Sequence, residues 1–334
     1  MSDIRISVVI PTHNRKQLLL QCLGSLERQS LEMDRFEVIV VDDGSTDGTT
    51  EELNRRSHAF AFNCLRIENS GPSQARNAGA AVVRGKYIAF TEDDVIVDED
   101  WLKNGLMLLE SKSLAMLEGR TVYAHNRKDV RRFERTQRPS FIPCNLFVRK
   151  GVFDRLGGYD PAFYDAKTRL YFREDADFGF RVLAAGLRTA IGMDVLVEHP
   201  PQFTSLSSCF RHVRRYVFDP LLYRKHPLLF RQLIEVKDVG RITVRRPYHA
   251  LALTYVGLLA WLVFELVSAR TAFLPAIIAL AFGCSMLFRY RYQGRRAIML
   301  HKLHETFGFM VLPVVYLVSL ARGCIRYRSF RALL

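Results

Sequence analysis

The sequence predicts an α/β domain built on a mainly parallel sheet, followed by C-terminal membrane-associated helices. Three observations predict it. Apolar, β-branched runs alternate with helical patterns over the N-terminal part of the chain, and carboxylates recur where those runs end. Two long apolar stretches then stand near the C-terminus between basic flanks. Strand alternating with helix gives a parallel sheet covered on both faces, and stretches of about 18 apolar residues are the shortest that cross a bilayer core.

Ile6 to Ile10 is an apolar run stopped by Pro11, and Phe36 to Val41 is another, ending in Asp42-Asp43-Gly44. Both predict buried strands. Between them Asn14 precedes a helical pattern with Leu18, Leu19, Cys22, Leu23 and Leu26 on one face, and Gln17 stands at the capping-box position. The alternation continues with a helix near Thr49 to Arg56, a strand near Asn63 to Ile67, a helix from Ser73 to Val83 and a strand from Tyr87 to Phe90. A helical face from Trp101 to Leu109, strands near Met116 to Tyr123 and Phe141 to Val148, and a helix from about Glu174 to Ala185 follow. The regular alternation lapses there, which predicts that the sheet becomes mixed.

The apolar stretches are Leu251 to Ser268 and Thr271 to Phe288, joined only by Ser268 to Thr271, which predicts a hairpin. Arg241, Arg245 and Arg246 precede it, and Arg289, Arg291, Arg295 and Arg296 follow it, so both ends are expected in the cytoplasm. A third stretch, Thr306 to Ala321, is shorter and holds Pro313. A full crossing there would strand Arg322, Arg326, Arg328 and Arg331 outside, so a re-entrant or interfacial segment is expected. The organisation expected is therefore an α/β domain over residues 1–202, a basic amphipathic juxtamembrane linker over 203–250, and the membrane hairpin with its third segment over 251–334.

Composition agrees. Of 334 residues, 49% are apolar, which excludes a disordered chain, and 25% are charged, which argues against a polytopic membrane protein. The net charge of +14 is all C-terminal: Lys and Arg number 28 against 29 acids up to Gln202, and 20 against 5 from Phe203 onward. A basic excess flanking apolar runs points to membrane lipids as a partner and away from nucleic acid. Six cysteines without a CxxC pair suit a reducing compartment and no zinc site. The opening MSDIRISVVIPTHNR has no secretory pattern, so the N-terminal domain is expected to face the cytoplasm at the cell inner membrane.

Ligands of a parallel sheet gather outside the carboxyl ends of its strands. Asp42 and Asp43 fall at one such end, and Glu92, Asp93 and Asp94 at another. Like charges packed there repel, and a hard divalent cation is the simplest compensation. Mn²⁺ or Mg²⁺ takes one or two carboxylates, waters and phosphate oxygens, which fits a site for a diphosphate.

The runs SVVIPTHNR, VIVVDDGSTDGT, GPSQARNAG, GKYIAFTEDD, GGYD and REDADFGFR together resemble family 2 glycosyltransferases of the GT-A fold, in order and over roughly residues 5–200. The resemblance implies a Rossmann-like mixed sheet and a nucleotide-diphosphate sugar donor, with inversion at the anomeric centre. It implies that Asp42 accepts from the nucleotide base, with Asp43, Gly44, Pro11 and Thr12 shaping the pocket. Arg76 would face the nucleotide, where a fixed cation suits a diphosphate. Glu92-Asp93-Asp94 stands at the Asp-x-Asp position with Glu92 in place of the usual first Asp: Asp94 is assigned to the metal, Asp93 to metal or ribose, and Glu92 to the donor. Glu174-Asp175 matches the acceptor-site pair, with Asp175 the expected base. Arg173 replaces the glycine common before that pair. His199 in VEHPP resembles a histidine of many relatives and is a candidate metal ligand.

The segment FRHVRRY lacks the Gln-x-x-Arg-Trp motif of processive synthases, so single transfer is expected, onto a lipid-linked or polysaccharide acceptor. A polyprenyl-phosphate acceptor is the alternative enzyme. An inactive, nucleotide-binding scaffold is the alternative of another class.

Overall fold

β1 (Ile6–Thr12) and β2 (Phe36–Asp42) are almost wholly buried, and this is why two runs with so little polarity pair at the middle of a sheet. A computed structural model describes residues 3–123, 139–200, 205–239, 242–268, 272–293 and 303–332. The chain forms two units, Met1–Pro201 and Gln202–Leu334.

The first unit also contains β3 (Ala61–Arg66), β4 (Tyr87–Phe90), β5 (Ile96–Val97), β6 (Met116–Tyr123), β7 (Leu146–Arg149), the small ladder β8 (Tyr164–Asp165) with β9 (Leu170–Tyr171), and β10 (Thr189–His199). Its helices are α1 (Lys16–Leu26), α2 (Thr49–Arg55), α3 (Pro72–Ala81), α4 (Trp101–Ser111), α5 (Lys150–Arg155) and α6 (Glu174–Ala184). The main sheet runs β3-β2-β1-β4-β7-β6-β10-β5. The first four strands are parallel, β7 is antiparallel to both its neighbours, and β10 is parallel to β6. A parallel half thus continues into a mixed half, as the resemblance to the GT-A fold implies. Because β1, β2, β4 and β10 all point the same way, Thr12, Asp42, the Glu92 triplet and His199 arrive at one edge.

Several local expectations change. Pro11 does not stop β1; it lies past the last β1–β4 pair, Val9 with Phe90, where a residue lacking an N–H is tolerated. The capping box at α1 does not form, since Asn14 takes a left-handed φ of 54° and helix starts at Lys16, whose N–H donates to Asp47 Oδ2 at 3.0 Å. The cap comes from another loop. The strand expected over Phe141 to Val148 is interrupted by a 3₁₀ turn at Pro143–Asn145. Asn145 is used there as a buried clamp, accepting from Trp101 Nε1 at 2.8 Å and donating to the Arg120 and Val195 carbonyls across β6 and β10. The loop 125–138, a variable segment on which the sequence places substrate-selecting side chains by analogy with other surface loops, lies outside the described residues.

α3 carries Arg76 and packs on the sheet through Gly79, where a Cβ would meet Val9 Cγ1 at 2.5 Å and Val41 Cγ2 at 3.0 Å. Gly79→Ala must therefore push α3 off β1 and β2. We expect a loss of about 1–3 kcal/mol, read as a lowered melting temperature of the full-length protein in detergent.

In the second unit the stretch expected to be a linker is folded. It holds α7 (Leu206–Arg214), a 3₁₀ turn to Phe218, α8 (Asp219–Lys225), the single turn α9 (Pro227–Leu229), a π turn to Ile234, and the hairpin β11 (Val236–Val239) with β12 (Ile242–Arg245). Three helices follow, α10 (Pro247–Val267), α11 (Leu274–Gln293) and α12 (Leu303–Tyr327). Among the described residues α10 and the Gly308–Tyr327 part of α12 are long and apolar enough to cross a membrane, while the apolar part of α11 is the shorter Leu274–Leu287. α12 is unbroken, with Pro313 inside it.

Candidate active site

The loop after β4 presents its three carboxylates to three different partners. Asp93 is buried and accepts from the Thr12 hydroxyl at 2.7 Å and from Arg15 Nη1 at 3.1 Å. Burial pushes its carboxyl up to about 6, while Arg15 and Thr12 pull the other way. Asp94 accepts from the same Arg15 nitrogen at 3.0 Å, and its second oxygen, Oδ1, is buried without a hydrogen bond. Glu92 accepts from Arg76 Nη2 at 3.3 Å. Burial acts to raise the Glu92 carboxyl, but His199, Arg76 and Arg15 together hold it below its usual range.

His199 closes the group. Its Nδ1 lies 2.9 Å from the Pro200 carbonyl oxygen. A carbonyl only accepts, so Nδ1 carries a proton and Nε2 is the nitrogen turned toward carboxylates. That nitrogen is 3.5 Å from Asp94 Oδ1 and 3.7 Å from Glu92 Oε2. Burial acts to lower the imidazole, yet Glu92, the Pro200 carbonyl and Asp94 raise it overall. One donor atom each from Glu92, Asp94 and His199 lies within 4.8 Å of the others. A lone pair facing two carboxylate oxygens is repulsive unless a proton or a cation stands between them. The orphaned Asp94 oxygen and this set of one nitrogen and two oxygens therefore fit Mn²⁺ or Mg²⁺.

Arg76 joins the two halves of the sheet. It is buried at 3% exposure, approaches Glu174 Oε1 at 3.6 Å as well as Glu92, and lies over the Tyr159 ring at 5.6 Å. Glu174 is itself buried, whereas Asp175 beside it is half-buried and accepts from the Ala176 N–H at 2.7 Å. Both stand in the first turn of α6, whose N-terminus favours negative charge. Arg173, just before them, has a φ of 75°. That is the left-handed region, where a glycine costs least.

Asp42, expected to accept from the nucleotide base, is wholly buried. Its oxygens accept from the Ser45 N–H at 2.7 Å, from Arg66 Nη1 at 3.0 Å and from the Thr50 hydroxyl. It ties down the loop after β2. Asp43 accepts from the Ser70 and Gly71 N–H groups at 2.7 and 2.9 Å, one on each oxygen, which leaves each oxygen a second lone pair. Asp42→Asn is expected to cost about 1–3 kcal/mol of stability, since the amide nitrogen offers a donor where donors already point. Asp43→Asn is expected to shift the melting temperature less and to weaken nucleotide binding more, as calorimetry on both proteins would measure.

Sequence reasoning missed Arg15 and Glu118. The signal for Arg15 was present: a cation follows β1 at the edge where an acidic triplet must be compensated. Glu118 accepts from the Ser140 and Phe141 N–H groups at 2.8 and 3.0 Å, and burial, with the Asp175 charge adding to it, raises its carboxyl. Nothing local marks it, because Phe141 with its φ of 59° comes from a distant segment.

The family model of glycosyl transferase family 2 matches residues 7–179. The chain belongs to that family. Among curated relatives, a glycosyltransferase, AglE, of Haloferax volcanii is 26% identical over 58% of this chain and 66% of its own length. A validoxylamine A glucosyltransferase of Streptomyces hygroscopicus is 26% identical over 68% of this chain and 62% of its own length. The chain thus spans somewhat under two thirds of these relatives. A solved mannosyltransferase of Pyrobaculum calidifontis, in complex with GDP-Man and Mn²⁺, has the same fold, with a TM-score of 0.58 and 19% identity over 95% of this chain and 87% of its own. Residues 1–349 of TarS of Staphylococcus aureus, with UDP-GlcNAc, superpose with a TM-score of 0.53 and 14% identity over 98% of this chain and 93% of that one.

Proposed function

We propose that this protein is an inverting glycosyltransferase that moves one sugar from a nucleotide-diphosphate sugar to a hydroxyl of a lipid-linked or polysaccharide acceptor. It works at the cytoplasmic face of the inner membrane, held there by the α10–α11 hairpin. The observation that carries the proposal is the meeting of Glu92, Asp94 and His199 at one sheet edge, with Arg76 reaching from Glu92 to Glu174.

Glu92, Asp94 and His199 would hold Mn²⁺ or Mg²⁺, which neutralises charge on the departing diphosphate. Asp93 stays beside them, fixed by Thr12 and Arg15, within reach of the ribose. Asp43, with Pro11 and Thr12, recognises the base in place of Asp42. Arg76 lies between donor and acceptor sides and holds Glu174 at 3.6 Å, and the less buried Asp175 is the group that takes a proton. The acceptor hydroxyl gives its proton to Asp175 while its oxygen bonds to the anomeric carbon. The bond from that carbon to the diphosphate oxygen breaks in the same step, and the nucleoside diphosphate leaves with the electron pair. A single displacement from the opposite face inverts the centre.

GDP-Man and UDP-GlcNAc in the two solved relatives support a nucleotide-sugar donor. The test is a donor panel on membranes containing the protein and Mn²⁺, with products resolved by mass spectrometry. One donor is expected to release its nucleoside diphosphate and to glycosylate a membrane-borne acceptor. Release from none of them would leave a nucleotide-binding scaffold.

A further inference from the structure

The second unit contains a pairing that decides how α12 meets a membrane. A Cβ on Gly308 would lie 2.3 Å from the Leu206 side chain, and one on Gly323 would lie 2.2 Å from the Val217 carbonyl oxygen. Between these points the Tyr216 and Tyr316 rings meet edge to face at 4.8 Å, and beyond them Arg224 Nη1 donates to the Tyr327 carbonyl at 3.0 Å. The stretch from α7 through α8 therefore runs beside α12, in the same direction, for its whole apolar length. α12 buries Phe309, Leu312, Tyr316, Leu320 and Cys324 at helical spacing, and the α7–α8 stretch buries Cys209, Val213, Tyr216, Phe218, Leu221 and Leu222.

That neighbour is basic. Arg211, Arg214, Arg224 and Lys225 are exposed on it, and Arg215 is half-buried. The Tyr216–Tyr316 contact sets Arg214 and Arg215 level with the middle of Gly308–Tyr327. Were α12 to cross a bilayer, those guanidiniums would be carried to its centre, among the most costly places for a charge. Among the described residues of α12 the exposed large apolar ones, Val311, Val318 and Ile325, recur every seven positions along one stripe, and Arg322 and Arg326 are exposed near its end. An apolar stripe flanked by cations suits the boundary between headgroups and acyl chains.

We propose that α12 lies in the plane of the membrane surface, with the Val311–Val318–Ile325 stripe in the acyl boundary. Arg211, Arg214 and Arg215 of its neighbour, with Arg322 and Arg326, then bind the headgroups of anionic phospholipids. This rests on the membrane-hairpin part of the proposed function, because only α10 and α11 are left to enter the bilayer.

Two measurements on the full-length protein test it. In bacterial spheroplasts a membrane-impermeant maleimide is expected to label Ser268→Cys, at the hairpin tip, and to spare Arg331→Cys until the membrane is opened. Labelling of Arg331→Cys from outside would overturn the in-plane placement. Protection of both sites would remove the hairpin insertion and still leave α12 on one face, so the two failures are distinct. In the second measurement the protein is reconstituted with spin-labelled phosphatidylglycerol or phosphatidylcholine. Phosphatidylglycerol is expected to be motionally restricted several-fold more, and Arg211→Gln/Arg214→Gln/Arg215→Gln is expected to bring the ratio close to one. An equal ratio in the unaltered protein, or a preference that the triple variant keeps, would overturn the headgroup site.

Discussion

EDTA is expected to abolish turnover, and Asp94→Ala is expected to remain inactive in excess Mn²⁺. The reason is the arrangement around His199. With its Nδ1 proton committed to the Pro200 carbonyl, the ring turns Nε2 to the space already faced by Glu92 Oε2 and Asp94 Oδ1, where a cation would take the place of a proton. Asp94 is the member whose buried oxygen has no hydrogen bond, so removing it deletes a ligand that no neighbour replaces. Supplying more metal cannot rebuild the shell. His199→Ala is expected to weaken Mn²⁺ binding in a titration followed by electron paramagnetic resonance, independently of any turnover. Full activity in chelator would refute the metal assignment.

Asp175→Asn is expected to lower turnover by about 10²–10⁴-fold, or about 3 to 5 kcal/mol of barrier, without weakening the donor. The amide keeps the shape and most hydrogen bonds of the carboxylate but cannot accept the acceptor proton. The structure sharpens the choice between the two neighbours. Glu174 is buried and faces Arg76 at 3.6 Å, an arrangement that holds an ionised group in place, whereas Asp175 is only half-buried. Glu174→Gln should therefore disturb Arg76 and, through it, Glu92, and appear in donor affinity. Calorimetry for the donor and turnover on the same preparations separate the two. Near wild-type turnover in Asp175→Asn would place the base elsewhere, and lost donor binding would make Asp175 a donor-site group.

Adjacent identical residues mark the limit of what a sequence yields at this site. Asp42 and Asp43 are indistinguishable in VIVVDDGSTDGT, and the resemblance put Asp42 on the base. In the fold, Asp42 is the last residue of β2 and points into the protein, where Ser45, Thr50 and Arg66 surround it. Asp43 is held by two backbone N–H groups from the loop before α3. Their difference is made by partners up to 28 residues away, which no local pattern carries. The cap of α1 fails for the same reason, because Ser45 and Asp47 from another loop accept from the Asn14 and Lys16 N–H groups that Gln17 and Asn14 were expected to serve.

The sequence by itself determined the elements whose signal is local. Burial of whole apolar runs set β1, β2 and β4, helical spacing set α1, α4 and α6, and six short motifs in order gave the family and the edge at which its carboxylates stand. Only the tertiary structure decided which groups meet. It brought His199 from the end of β10 to Glu92 and Asp94, and it set Arg76 between Glu92 and Glu174. It also laid the basic α7–α8 stretch along α12, whose Gly308–Tyr327 part extends beyond the Thr306 to Ala321 stretch read from the sequence. The physical reason is common to all three. Strand and helix preference depend on a few neighbouring residues, whereas electrostatic pairing and helix packing depend on distances across the sheet and between helices, and these exist only once the chain has folded.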